Sequence, residues 1–282
     1  MSGPSIPEIE TSLFLEALKL RHGYDFGGYS PKSLRRRLET LLADLSCDSL
    51  LALLPRLLHD ESFVQIVIAH LSVPVTEMFR DPALHLTVRD QVVPFLATYP
   101  RMQIWLPGCA TGEEAYSLAI LLSEMGVLHH ATLFATDIND QALAVAEAGC
   151  YPRDRIEGFA RNYRLSGGLG AIGDYVRIGK EGACVVESIR QRIVFAHHNL
   201  VTDGIFAETH LIYCANVLIY FNNQLRNRVL KLFHDSLVPG GFLCLGSQES
   251  LAASVVRDAF VELDPLTRVY RARYVHPSPA RT

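Results

Sequence analysis

Hydrophobic positions recur at helical spacing over residues 8–88, then give way from about residue 100 to short apolar runs alternating with amphipathic segments. Over Glu10–His22, Leu13, Phe14, Ala17 and Leu18 form the apolar side of a helix, and HGYDFGGYS supplies turn chemistry after it. Ser30 and Pro31 open the next helix, serine at the cap and proline at the first helical position. On a helical wheel Leu34, Leu38, Leu41, Leu42 and Leu45 share an arc of about 100°. Lys32, Arg35 and Arg36 occupy a neighbouring arc, and Arg37 stands apart from them. Helices are also expected at Asp48–His59 and Ser62–Leu71, with Pro74 and Pro82 interrupting helix near residues 72–90.

Strands are expected at Gln103–Leu106, Thr132–Ala135, Arg192–Ala196, Leu211–Cys214 and Phe242–Leu245. Helices are expected between them at Glu113–Met125, Asp140–Ala148 and Asn223–Ser236, the first closed by Gly126. That alternation implies an α/β architecture with a mostly parallel sheet covered on both faces. Residues 150–190 break the rhythm, being glycine-rich and longer than an ordinary crossover, and read as an inserted subdomain with a helix and one or two short strands. The tail HPSPART reads as disordered.

A 282-residue chain that is 49% hydrophobic can bury a large core, which excludes an intrinsically disordered protein. The first ten residues do not resemble a signal peptide, and no apolar run reaches the ~18 residues of a membrane span. The expectation is a soluble, cytoplasmic protein with no membrane insertion. With 26 basic and 30 acidic residues the net charge is 26 − 30 = −4, which argues against a nucleic-acid partner. Six cysteines lie 30 or more residues apart with no CxxC, so they are expected to be reduced. No metal is expected, and His197-His198 has no partner at ligand spacing.

The first expected strand runs into Pro107-Gly108-Cys109-Ala110-Thr111-Gly112-Glu113-Glu114, with a helix at once behind it. Glycines in such a turn let backbone approach a nucleoside, but an acidic helix start would repel a pyrophosphate. Asp137 falls at the carboxyl end of the next strand, where an acid commonly takes two ribose hydroxyls. Glu113 near a cationic amine or sulfonium and Asp137 on a ribose together describe S-adenosylmethionine, with S-adenosylhomocysteine as its product.

The chain resembles the chemotaxis-receptor glutamate methyltransferases, the CheR family. The resemblance runs from about residue 12 to 274 and rests on five motifs: VTEMFRD at 75–81, GCATGEEAYSL at 108–118, ATDI at 135–138, HNL at 198–200 and NVLIYF at 216–221. It implies a class I S-adenosylmethionine-dependent methyltransferase, Rossmann-like, with a small β insertion and an N-terminal all-α domain. The expected organisation is a helical domain over 1–74, a linker over 75–90 lining the cofactor cleft, and a methyltransferase domain over 91–282. The implied activity is methyl transfer to glutamate carboxylates on the cytoplasmic helical region of chemoreceptors. By motif position, Thr76, Arg80, Glu113, Asp137, Asn199, Leu200 and Asn216 would hold the cofactor. Arg80 and Tyr220 would face the reacting methyl group, and Lys32, Arg35 and Arg36 gain meaning as a docking face for an acidic receptor helix. A monomer is expected.

Three positions depart from the family pattern: Pro74 stands where members usually carry asparagine, Pro107 precedes the glycine turn in place of a small or polar residue, and Ala215 replaces an arginine. The last loses a cation and five donors near the cofactor or substrate. It keeps a second reading open, a catalytically weakened member acting as a regulatory or binding module.

Overall fold

The computed structural model describes residues 3–72, 76–180 and 182–274. Pro74, Val75 and the tail HPSPART lie outside the described residues. Four helices come first: α1 (Ile6–His22), α2 (Pro31–Asp44), α3 (Leu50–His59) and α4 (Glu61–Leu71). The first starts four residues before the expected Glu10, because Ser5 and Glu8 close its end: the Ser5 N–H donates to Glu8 Oε2 at 2.8 Å. Asp60 caps the fourth by accepting from the amides of Ser62 and Phe63. Phe14, Leu18, Leu38, Leu41, Leu57, Phe63 and Val67 bury together as a core separate from that of the sheet.

Pro82–Thr87 (α5) leads through one π-helical stretch, Val88–Val92, into Val93–Leu96 (α6). The strand–helix alternation follows as β1 (Met102–Pro107), α7 (Glu113–Glu124), β2 (Ala131–Asp137), α8 (Asp140–Ala148), an insertion, β6 (Ile193–His197), β7 (Thr209–Cys214), α11 (Asn223–Ser236) and β8 (Leu237–Leu245). The insertion holds β3 (Cys150–Tyr151), α9 (Ile156–Leu165), β4 (Val176–Gly179), β5 (Gly182–Val185) and α10 (Glu187–Arg190). A hairpin unforeseen in the sequence, β9 (Phe260–Asp264) and β10 (Val269–Ala272), completes a seven-stranded sheet of order β6-β2-β1-β7-β8-β10-β9. The first five strands are parallel; β10 runs antiparallel to both β8 and β9. Alternate residues feed opposite faces: Ile104, Leu106, Leu211 and Tyr213 into one core, Trp105, Ile212 and Cys214 into the other.

The insertion corrects the cysteine expectation. Its strands form a separate antiparallel sheet, order β3-β5-β4, whose register sets Cys150 directly opposite Cys184. The two are joined as a disulfide, with Cα atoms 4.0 Å apart, and Cys47, Cys109, Cys214 and Cys244 are free. Sequence separation hid the pair; cross-strand register creates it. No helix among the described residues is long and apolar enough to cross a membrane, and none of their acidic, histidine and cysteine side chains group in a way that could hold a metal ion.

Candidate functional site

Parallel strands leave their carboxyl ends open on one edge of the sheet, and a cleft lies there, an open space of ≈ 990 Å³. Its floor is the turn after β1. Gly108 has φ +69°, and a Cβ there would sit 2.6 Å from Val217 Cγ2; Gly112 has φ +89°, and its Cβ would meet Ala146 at 2.8 Å. Both positions require glycine. Between them Ala110 is held at φ 49°, a conformation that costs a non-glycine residue about 1 kcal/mol or more. The Asp137 carboxylate fixes it, accepting from the Ala110 amide at 2.8 Å and from the Asn139 amide at 2.9 Å. Burial pushes the Asp137 carboxyl up, against the opposing pull of those backbone donors.

Thr76, Arg80, Asp137, Asn199, Leu200, Asn216 and Tyr220 all line this cleft. Glu113 does not. Its side chain is fully buried, accepting from Thr111 Oγ1 at 2.6 Å and from Arg155 Nη1 at 2.5 Å, while Arg155 also donates to the Thr76 carbonyl. That is a correction: Glu113 braces the wall of the cleft from behind. The adjacent Glu114 lines the cleft instead, with Oε1 buried and without a partner. Burial raises its carboxyl to about 8, only partly offset by the charge of Arg80. One helical step, about 100° on the wheel, separates the two glutamates. The strand-to-helix turn, invisible in composition, decides which one faces inward.

The far wall is the loop after β7. Asn216 sits there at φ 62°, and Glu249 holds the loop from below. The Glu249 carboxylate accepts from the amides of Asn216 (3.0 Å), Leu218 (2.6 Å) and Gly246 (2.8 Å). No motif in the sequence marks this glutamate. Ala215 lines the cleft beside Asn216 and brings no charge into it.

The helical unit closes the mouth. The Ser30 amide donates to the Tyr220 carbonyl and the Asn222 amide to the Gly28 carbonyl, both at 2.8 Å. Tyr29 packs edge-on against Phe221 with ring centroids 5.0 Å apart. Arg37, the arginine apart from its neighbours on the wheel, is buried. Its guanidinium lies 5.3 Å from the Tyr220 ring centroid and donates to the carbonyls of Ser72 (2.5 Å) and His70 (3.4 Å). Arg37→Met should keep the stem packing, lose these donors, and cost about 2 kcal/mol in urea unfolding. Lys32, Arg35 and Arg36 are exposed, Arg35 paired with Glu39 at 3.0 Å.

The site suits an adenosyl amino acid. An acid at the end of β2 can take a ribose diol, and glycine backbone at the end of β1 admits close approach. Glu114 Oε1 is buried there without a hydrogen-bond partner. Sheet, turn and cleft together define a Rossmann-like S-adenosylmethionine-dependent methyltransferase. The model of the CheR methyltransferase SAM-binding domain matches residues 74–265, and that of the CheR all-alpha domain matches residues 9–72. The chain belongs to the CheR methyltransferase family. It is 44% identical to the Cher3 protein of Pseudomonas putida over 264 residues, 94% of this chain and 97% of that one. It is 28% identical to the chemotaxis protein methyltransferase of Listeria innocua, over 87% of this chain and 92% of the other. Against chemotaxis protein methyltransferase 1 of Vibrio cholerae the identity is 26%, over 94% and 98% of the two chains.

Proposed function

We propose that this protein methylates glutamate side-chain carboxylates on the cytoplasmic helical region of chemoreceptors, giving glutamyl methyl esters for sensory adaptation. The observation that carries the reading is the convergence of Arg80 and Tyr220 on the cleft that also holds Asp137, Asn216 and Glu114. In this reading Asp137 takes the ribose hydroxyls, Glu114 the α-ammonium, and Thr76, Asn199, Leu200 and Asn216 enclose the rest. When bound, S-adenosylmethionine supplies a sulfonium methyl group that an ionised carboxylate accepts, leaving S-adenosylhomocysteine. A glutamate with an ordinary carboxyl near 4.3 is already ionised at neutral pH, so the chain need provide no general base. Its task is positioning and exclusion of water. Arg80 orients the incoming carboxylate through its planar fork, and the Tyr220 hydroxyl donates to a carboxylate oxygen.

The proposed division of labour is a helical unit over 1–74, a linker over 75–90 and a methyltransferase unit over 91–282 with its insertion at about 150–190. The exposed Lys32, Arg35 and Arg36 would meet the acidic receptor helix, and the proposed site of action is the cytoplasm.

The test is transfer of radiolabelled methyl from S-adenosylmethionine to receptor cytoplasmic fragments, read as base-released methanol, the signature of a methyl ester. Tyr220→Phe should lower turnover about tenfold or more while leaving S-adenosylhomocysteine affinity within about threefold. Tight cofactor binding without transfer to any receptor fragment would overturn the reading in favour of a binding module, for which the uncharged Ala215 speaks.

A further inference from the structure

The insertion is tied to the floor of the cleft through its entry strand. β3 has two residues, Cys150 and Tyr151. The Tyr151 side chain is buried, and its hydroxyl donates at 2.7 Å to the carbonyl of Thr111, between Ala110 and Gly112 of the glycine turn. Tyr116 of α7 and Phe159 of α9 pack edge-on against its ring, with centroids 6.3 and 5.8 Å away. A few residues on, Arg155 reaches Glu113 and the Thr76 carbonyl. Glycine turn and linker are thus both positioned from the insertion.

The ladder that holds β3 on β5 has two pairs, Cys150 with Cys184 and Tyr151 with Ala183. In the same register Val185 lies opposite Gly149 and donates to its carbonyl at 2.9 Å, which makes that neighbouring pair a hydrogen-bonded one. Cys150 and Cys184 then form a non-hydrogen-bonded pair, the kind in which opposed side chains stand closest. Register alone keeps the two sulfurs side by side, so their bond can open and close without a change of pairing. Both cysteines are half-buried, whereas Cys109, Cys214 and Cys244 are buried.

We propose that Cys150 and Cys184 are a reversible thiol–disulfide site that sets how firmly the cofactor cleft is formed. Closed, the pair fixes β3 and, through Tyr151, the glycine turn; opened by a thioredoxin-type dithiol, it loosens both. Disulfides in the cytoplasm are mostly transient and redox-sensing, which is the role this pair takes if the work is done there. The effect on cofactor binding rests on the methyltransferase reading of the cleft given above. In the reduction, one thiolate of the dithiol attacks one sulfur and displaces the other as a thiolate, and its second thiol resolves the mixed disulfide. Two electrons and two protons pass to this chain, leaving two cysteine thiols here and a disulfide on the donor. The bond spans 34 positions that include α9 and β4, and its opening returns freedom to that loop. The glycine turn is sensitive to such slack, because Ala110 is held there at positive φ. A turn that is competent for only part of the time lowers apparent affinity by that fraction.

The test compares the full chain, oxidised and after dithiothreitol, by calorimetric titration with S-adenosylhomocysteine and by amide hydrogen exchange. Reduction should weaken binding about three- to tenfold. It should also speed exchange at Cys109, Ala110 and Gly112, whose amides are hydrogen-bonded in the turn. The double variant Cys150→Ser/Cys184→Ser should match the reduced wild type and ignore dithiothreitol, which assigns the response to this pair and not to the four free cysteines. Tyr151→Phe should still form the disulfide yet lose most of the redox dependence, an uncoupling that a merely structural bond would not show. In cells quenched with acid and alkylated, the pair should be reduced at rest and oxidised after diamide. Equal affinity and equal exchange in the two states would overturn the proposal, as would a pair locked in one state throughout the diamide challenge. Exchange needs no ligand, so a chain that bound no S-adenosylhomocysteine would sink the methyltransferase reading while exchange still decided whether the pair controls the turn.

Discussion

Glu249→Ala is expected to unfold the wall of the cleft and to cost about 3 kcal/mol or more of global stability. Three backbone amides, those of Asn216, Leu218 and Gly246, donate to this one carboxylate. Leu218 and Gly246 are buried, so water cannot replace the lost acceptor without opening the loop. Each buried donor left unmade costs about 1–3 kcal/mol, against a total stability of about 5–15 kcal/mol. The loop that would relax is the one that holds Asn216 at positive φ and leads into Tyr220. S-adenosylhomocysteine affinity should therefore fall by about tenfold or more with no direct contact removed. Glu249→Gln should be milder, since its amide keeps one acceptor oxygen but turns an NH₂ towards a donor. Urea unfolding paired with calorimetric titration separates the two effects. A Glu249→Ala variant as stable as the wild type would mean that the loop is held by its own packing.

That glutamate illustrates which parts of the molecule are legible in a sequence. Helices α2, α4, α7, α8 and α11 and the five parallel strands follow from periodicity, because each must bury one face or both. The glycine turn and Asp137 follow from where chemistry sits in such sheets. What escaped depends on contacts distant in sequence. Cys150 meets Cys184 only through the β3–β5 register, and Glu249 meets Asn216 across 33 positions. Arg37 is a partial exception. Its separation from Lys32, Arg35 and Arg36 on the wheel already set it apart, but only the packing of α2 against Ser72 and Tyr220 says why. Glu113 and Glu114 mark the limit of motif reading. Both belong to the same motif, and a single helical step decides which braces the wall and which faces the cleft.

That distinction has a measurable consequence in proton release. Binding of S-adenosylhomocysteine at pH 6.5 is expected to release about one proton. Glu114 is held protonated in the unligated cleft, its carboxyl raised to about 8 by burial. A ligand ammonium beside the unpartnered Oε1 favours the ionised form, so binding expels the proton. Affinity should then climb by up to about tenfold per pH unit between pH 6 and pH 8 and level off above. Stability of the unligated protein runs the other way. A carboxyl raised in the folded state favours the fold while it keeps its proton. This contribution is therefore complete below the ordinary value of 4.5 and lost as pH rises through about 8. Glu114→Gln imitates the protonated group at every pH. It should match or exceed the wild type in melting temperature above pH 8, bind the ligand roughly 10- to 100-fold more weakly, and release no proton. Titrations at one pH in two buffers of different ionisation enthalpy count the proton directly. If the glutamine variant released it as the wild type does, another group in the cleft, and not Glu114, would be the partner of the ammonium.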